Sequence, residues 1–203
     1  MAPIKSISAS LGGLVQRHPL REDLQEDVEK GLQVIRSRAD ALGRFMSTYA
    51  TLARLPRPEI GEVDVAELAQ RVAALETRIR VEVVGGPPAV IRADADQLEQ
   101  ALINLVRNAA DASIPTRGRV ALSCARIDEA VELVVEDEGP GLADTDNLFV
   151  PFYTTKPGGS GIGLVLSRQI AEGHGGRLEL ENRPEGVGAR ARLSLPLDAG
   201  RNS

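Results

Sequence analysis

Aromatic residues make up only 2% of this 203-residue chain, and tryptophan is absent. That shortage excludes the base-stacking platforms on which single-strand nucleic-acid binders rely. The single cysteine, Cys124, cannot close an internal disulfide or build a multi-thiolate metal centre. Its place in the alternating apolar run Arg119 to Ile127 assigns it to strand packing. The only histidines, His18 and His174, lie far apart and make a histidine-based zinc site a poor fit. No run of about 18 apolar residues is available to cross a bilayer. The opening MAPIKSISASLGGLV also lacks the charged n-region, long apolar h-region and cleavage site of a signal peptide. The expectation is a cytoplasmic chain, with any membrane segment lying outside it. An excess of positive charge is missing too: 24 Lys+Arg against 29 Asp+Glu give a net charge of −5. Broad binding to nucleic acid or to an anionic membrane is thereby disfavoured, leaving room only for a local basic patch.

What is present is an ordinary globular composition, 42% apolar and 26% charged, long enough for one large domain or two small ones. From Leu24 to Leu52 apolar residues recur at threes and fours, including Val28, Ile35, Ala39, Leu42, Phe45 and Tyr49. Such a stripe predicts a long helix. A shorter apolar segment, Ile4 to Val15, precedes it, and Pro19 breaks the chain between the two. The reading is a helical hairpin whose exposed stripe calls for a second copy, making a dimeric four-helix bundle. LPRPEIGEVD then marks a boundary, giving units at 1–55 and 64–203 with a linker at 56–63.

Beyond the boundary the pattern alternates. Helices are predicted at Asp64 to Leu75, Asp94 to Ser113 and Ile162 to Glu172. Strands are predicted at Ile79 to Val84, which ends in the turn GGPP, and at Arg119 to Ile127, Ala130 to Asp137, Arg177 to Asn182 and Ala189 to Leu195. This order fits an α+β two-layer sandwich rather than a doubly wound parallel sheet.

Four motifs in the second unit carry chemistry. In DADQLEQALINLVRNAADAS, Asn104 and Asn108 are one turn apart, so both amides leave the same helix face. Asparagine is mildly unfavourable inside a helix. The pair is either a set of solvated amides or a neutral oxygen site for Mg²⁺ beside substrate phosphates. VVEDEGPGL ends an apolar strand in Asp137 and turns at Gly139 and Gly141. It is either an edge-strand turn or a carboxylate accepting from an exocyclic amine. LFVPFYTTKPGGSGIGL delivers bare amides from Gly158, Gly159, Gly161 and Gly163 to a helix start, an anion-binding arrangement, with Lys156 at its mouth. It is neither a Walker loop nor a dinucleotide fingerprint. Phe149, Phe152 and Tyr153 serve as core packing or as a latch on this loop. GVGARARLSLP is a glycine turn before a last strand.

Taken in order, NLVRNAADA, DEGPGL, FVPFYTTK, GSGIGL and GVGARARLSLP resemble the asparagine, glycine and phenylalanine boxes of the ATP-binding domain of sensor histidine kinases. That family belongs to the wider group of gyrase B subunits, a heat-shock chaperone and mismatch-repair ATPases, and the likeness covers about 64–197. It implies a sandwich of the Bergerat type with ATP and Mg²⁺ as ligands. By position, Asn108 would hold the metal, with Asn104 on the same ion and phosphate face, and Asp137 would bind adenine in a pocket shaped by Gly139, Gly141 and Leu142. Asp111, Lys156, Ser160, Gly161, Ile162, Gly163 and Leu164 would complete the nucleotide site, with Lys156 and the residues after it as a lid. Asn104 and Lys156 would be catalytic. Asn104 stands where gyrase-like ATPases have a water-activating glutamate, which favours phosphoryl transfer over hydrolysis.

The first unit resembles the dimerisation and phosphotransfer hairpin of those kinases, but MAPIKSISASL looks like the continuation just after the box holding the phosphoacceptor histidine. His18 sits in the expected turn, away from the acceptor position, and His174 in GHGG is read as structural. The implied activity is transfer of the ATP γ-phosphoryl to a histidine that this chain lacks, within a homodimer that addresses a response regulator receiver domain and no nucleic acid. The competing reading is a nucleotide-gated binding module, either an inactive kinase fragment or an anti-sigma-like switch.

Overall fold

A computed structural model describes residues 2–17, 22–53, 55–86, 89–142, 147–154, 156 and 159–198. Met1, His18, Pro19, Pro87, Pro88 and Gly158, invoked above, lie outside the described residues, as do the side chains of Phe45, Tyr49 and Leu52. The chain divides into two compact units, Met1–Leu55 and Pro56–Ser203.

The first unit holds α1 (Ala2–Arg17) and α2 (Glu22–Ala53). Their contact is narrow and partly polar. Ser8 is buried, its Oγ donating to the Leu32 carbonyl at 3.4 Å and accepting from Arg36 Nε at 3.3 Å. Arg36 Nη2 also donates to the Ser8 carbonyl at 3.0 Å. Leu32 and Ala39 are buried, whereas Ile4, Ile7, Leu11 and Leu14 on α1 and Leu24, Val34, Ile35 and Leu42 on α2 are exposed. Among the described residues the hairpin therefore buries few of its own apolar side chains.

In the second unit, strands β1 (Gly61–Asp64), β2 (Val81–Val84), β3 (Val90–Ala93), β4 (Val120–Ile127), β5 (Ala130–Asp137), β6 (Arg177–Asn182) and β7 (Ala189–Pro196) alternate with α3 (Val65–Leu75), α4 (Ala95–Thr116) and α5 (Gly163–Gly173). The main sheet runs β2-β4-β5-β7-β6, with β2 parallel to β4 and the other pairs antiparallel. Strand β5 buries every second residue, and the register puts Leu122 opposite Val135 and Leu133 opposite both Cys124 and Leu193. The three helices cover this apolar face, and Cys124 packs within it. The result is the two-layer α+β sandwich expected from the sequence. Two short strands were not anticipated: β1 lies at the end of the segment read as a linker, and it pairs with β3 in a separate antiparallel ribbon.

The opposite face of the sheet is polar. Arg190 reaches Glu136 at 2.6 Å and Glu181 at 3.6 Å, while Arg192 reaches Glu181 at 3.2 Å, Glu132 at 3.7 Å and Glu179 at 3.9 Å. Two arginines of β7 thus tie β5 on one side to β6 on the other.

Candidate functional site

Helix α4 is the platform of the site. Its start is fixed by Asp94, whose Oδ1 accepts from Gln97 N at 3.0 Å and whose Oδ2 accepts from Glu59 N at 2.8 Å, so both oxygens cap backbone donors. Leu98, Leu102, Leu105 and Ala109 are buried. That inward stripe leaves Asn104, Asn108 and Asp111 half-buried along the adjacent face. Asn104 accepts from Gln100 Nε2 at 3.3 Å and donates to the Gly163 carbonyl at 3.4 Å, which sets it against the first turn of α5.

That first turn has no side-chain cap. Asp64 caps α3 and Asp94 caps α4, but Ile162 at the α5 N-cap makes no side-chain hydrogen bond to the helix start. Its leading amides receive no cap from Ile162, and their aligned dipoles favour an anion at this end. Gly161 enters this turn at φ +65°, and a Cβ there would lie 2.5 Å from the Phe152 backbone, so the residue must be glycine. The Gly161 carbonyl accepts from Phe152 N at 3.0 Å, joining the glycine segment to the aromatic one. Phe149 lies under the Arg168 guanidinium at 5.0 Å, while Phe152 and Tyr153 are exposed. Ile162 is buried, Gly163 and Leu164 are half-buried, and Ser160 is exposed.

Lys156 reaches across to α4. Its Nζ donates to Asn108 Oδ1 at 3.2 Å and to Asp111 Oδ2 at 3.0 Å. On its other side Asp111 accepts from Arg78 Nη1 through Oδ1 at 2.7 Å. Burial pushes the Asp111 carboxyl up, but the hydrogen bonds from Lys156 and Arg78 outweigh it and hold the group below its ordinary value. Arg78 is clamped by Glu76, with Nη2 on Oε2 at 2.7 Å and Nε on Oε1 at 3.1 Å. These same bonds raise the Arg78 guanidinium and lower the Glu76 carboxyl.

Asp137 closes β5 at 7% exposure. Its Oδ1 accepts from Gly139 N at 2.9 Å and Ala189 N at 3.2 Å. Burial raises its carboxyl above the ordinary value, with the two backbone bonds and the charges of Arg183 and Lys156 opposing the shift. The approach of β7 is close enough that a Cβ on Gly188, at φ +127°, would collide with the Asp137 carbonyl. Gly141, also at positive φ, leads into Leu142, whose N and O are both bonded to the Asn182 amide at 2.6 and 3.2 Å.

Of the sequence-predicted residues, the structure brings together Asn108, Asp111 and Lys156; Asn104 with Gly163; and Asp137 with Gly139; Ser160, Gly161, Ile162 and Leu164 line the α5 start, and Gly141 and Leu142 lie against Asn182. Arg78, Asn182 and Arg183 were not foreseen. Asn182 closes β6 and Arg183 follows it, and their polarity at the strand end was the available signal; Arg78 in a loop carried none. His174 is 1% exposed; its Nε2 accepts from Asp94 N at 3.0 Å, so Nδ1 carries the proton and donates to the Ile170 carbonyl at 2.8 Å. Both ring nitrogens are committed to the packing of the unit.

The family described as histidine kinase-, DNA gyrase B-, and HSP90-like ATPase matches residues 93–199. The nitrogen regulation protein NtrY of Azorhizobium caulinodans is 35% identical over 174 residues, 80% of this chain and 22% of that protein. The sensor histidine kinase ZraS of Escherichia coli O157:H7 is 30% identical over 208 residues, 98% of this chain and 45% of that one. The chain thus spans less than half the length of either curated relative. A solved structure of a mycobacterial sensor histidine kinase, MprB, has 31% identity and a TM-score of 0.59, covering 68% of this chain and 97% of that one.

Proposed function

Because this chain belongs to the histidine kinase-, DNA gyrase B-, and HSP90-like ATPases, in their sensor histidine kinase branch, we propose that residues 64–203 bind Mg·ATP and pass its γ-phosphoryl to a histidine. The observation that carries this reading is Asp137: a buried carboxylate whose Oδ1 is held by two backbone amides, which leaves Oδ2 to accept from the exocyclic amine of adenine. The uncapped α5 start, with Ser160, Gly161, Ile162, Gly163 and Leu164, receives the phosphates. Lys156 neutralises the charge at the end of the triphosphate, and Asn104 positions the α5 start through Gly163.

The donor set around Asn108 fits a magnesium ion. Asn108 Oδ1 is a hard oxygen that already accepts from one cation, the Lys156 ammonium. Asn108 would hold the ion, which when bound screens the triphosphate charge as the γ-phosphoryl leaves. In the transfer the bond from the γ-phosphorus to the ADP oxygen breaks and a bond to an imidazole nitrogen forms, catalysed by positioning and charge neutralisation. His174, buried with both nitrogens engaged, is not the acceptor; the histidine is one that neither His18 nor His174 supplies. In this reading residues 1–55 are the dimerisation hairpin, 56–63 the linker, and a response regulator receiver domain takes the phosphoryl onward.

The test is transfer in trans. The chain is mixed with a sensor kinase that carries its acceptor histidine but cannot bind ATP, and acid-labile label from [γ-³²P]ATP is followed. Label on the partner's histidine, abolished by Asn108→Ala or Asp137→Ala together with ATP binding, is the expected result. ATP binding without transfer would leave a nucleotide-gated module instead.

A further inference from the structure

Two oxygens of α4 converge on one ammonium. Asn108 and Asp111 are three residues apart on a helix and therefore share a face, and Lys156 Nζ lies 3.2 Å from the first and 3.0 Å from the second. We infer that Asp111 is a second oxygen donor to the divalent cation beside Asn108, and that the Lys156 ammonium is the cation's substitute when no metal is bound. The inference rests on the nucleotide reading above and adds a ligand to it.

Three observations support it. A neutral amide alone contributes no charge, whereas Mg²⁺ sites that also use substrate phosphates ordinarily include one or two carboxylates. Asp111 is the carboxylate within reach of the same ammonium as Asn108. Its two oxygens are divided between partners, Oδ1 to Arg78 and Oδ2 to Lys156. Arg78 is held independently by Glu76, so Asp111 stays oriented when Lys156 departs. Finally, the Lys156 side chain is 42% exposed and that of Asp111 29%. A pair so open to water is a weak structural bridge, which a divalent ion can replace. Arg78 is then a positioning residue, which aims Asp111 without touching the ion.

Mn²⁺ is the probe, titrated into the full chain saturated with ADP and followed by electron paramagnetic resonance. Asp111→Asn, which keeps the shape and loses the charge, should weaken Mn²⁺ binding about tenfold. Lys156→Met should tighten Mn²⁺ binding roughly two- to fivefold, and the gain should vanish in the double variant. A Mn²⁺ affinity unchanged by Asp111→Asn with ADP bound overturns the assignment of Asp111. Weaker Mn²⁺ binding in Lys156→Met overturns the substitute role. Failure of the parent chain to bind ADP at all would instead remove the nucleotide reading, and this inference with it. Matching circular dichroism spectra and melting curves establish that the variants are folded.

Discussion

A carboxylate placed at 7% exposure costs the fold something, and in the proposed reading Asp137 bears that cost to bind adenine. Because burial raises its carboxyl in the folded chain, the folded state holds more protons than the unfolded one just above the ordinary carboxylate range. Stability accordingly falls as pH rises through that window, and the penalty persists at neutral pH. Asp137→Asn keeps an oxygen for Gly139 N and Ala189 N but removes the buried charge. It should therefore raise the melting temperature at pH 7 while abolishing ATP binding by calorimetry; a lower melting temperature would mean that the charge itself holds the β5 terminus. Asp111 has the opposite sign. Its carboxyl is lowered, so its contribution is present above the ordinary range and is lost as pH falls through the depressed value. Asp137 was legible in the sequence because an alternating apolar strand ends in it and glycines follow. Arg78 was not, since one arginine among many in a polar loop has no pattern until the fold brings it to Asp111.

Elements are locked to one another through few, specific bonds. His174, just past the end of α5, accepts from the backbone N–H of Asp94, the residue that caps α4. Ser167 on α5 adds a hydrogen bond to the Ala101 carbonyl of α4 at 3.3 Å. His174→Ala would leave a void and an unpaired buried N–H at the α4 cap. The expected loss is about 2–4 kcal/mol, read as a lower urea midpoint with an unchanged slope. At the opposite end of α5, Gly161→Ala meets both a positive φ and the Phe152 backbone. It should displace the phosphate-facing turn and weaken ATP binding at least tenfold, with the circular dichroism spectrum retained. Most elements could be read from periodicity because their lengths gave the pattern room. The four-residue strands β1 and β3 could not: neither is long enough to establish an alternation, and each is a strand only because the other lies beside it. The parallel pairing of β2 with β4 is equally a product of the chain's return through α4.

At the scale of the whole molecule, Ile4, Ile7, Leu11, Leu14, Leu24, Val34, Ile35 and Leu42 are exposed among the described residues of the hairpin, while Ser8, Leu32 and Ala39 are buried. In the dimer reading proposed above, a second copy covers these residues. Light scattering at micromolar concentration should give twice the 21.6 kDa chain mass, and Leu14→Glu with Ile35→Glu should return it to one. A parent chain that stays monomeric would assign this surface elsewhere. The arginine and glutamate ladder on the sheet bears on the same question from another direction. The rows of backbone donors and acceptors at a sheet's margins are the commonest invitation to unwanted strand addition. Here β6, at one margin, carries Arg177, Glu179 and Glu181 on a single face, and β2, at the other, is four residues long and exposes Glu82. An incoming strand would have to lie against ionised side chains at one margin and find only a short partner at the other. The sheet is thus guarded at both margins against fibre-like growth.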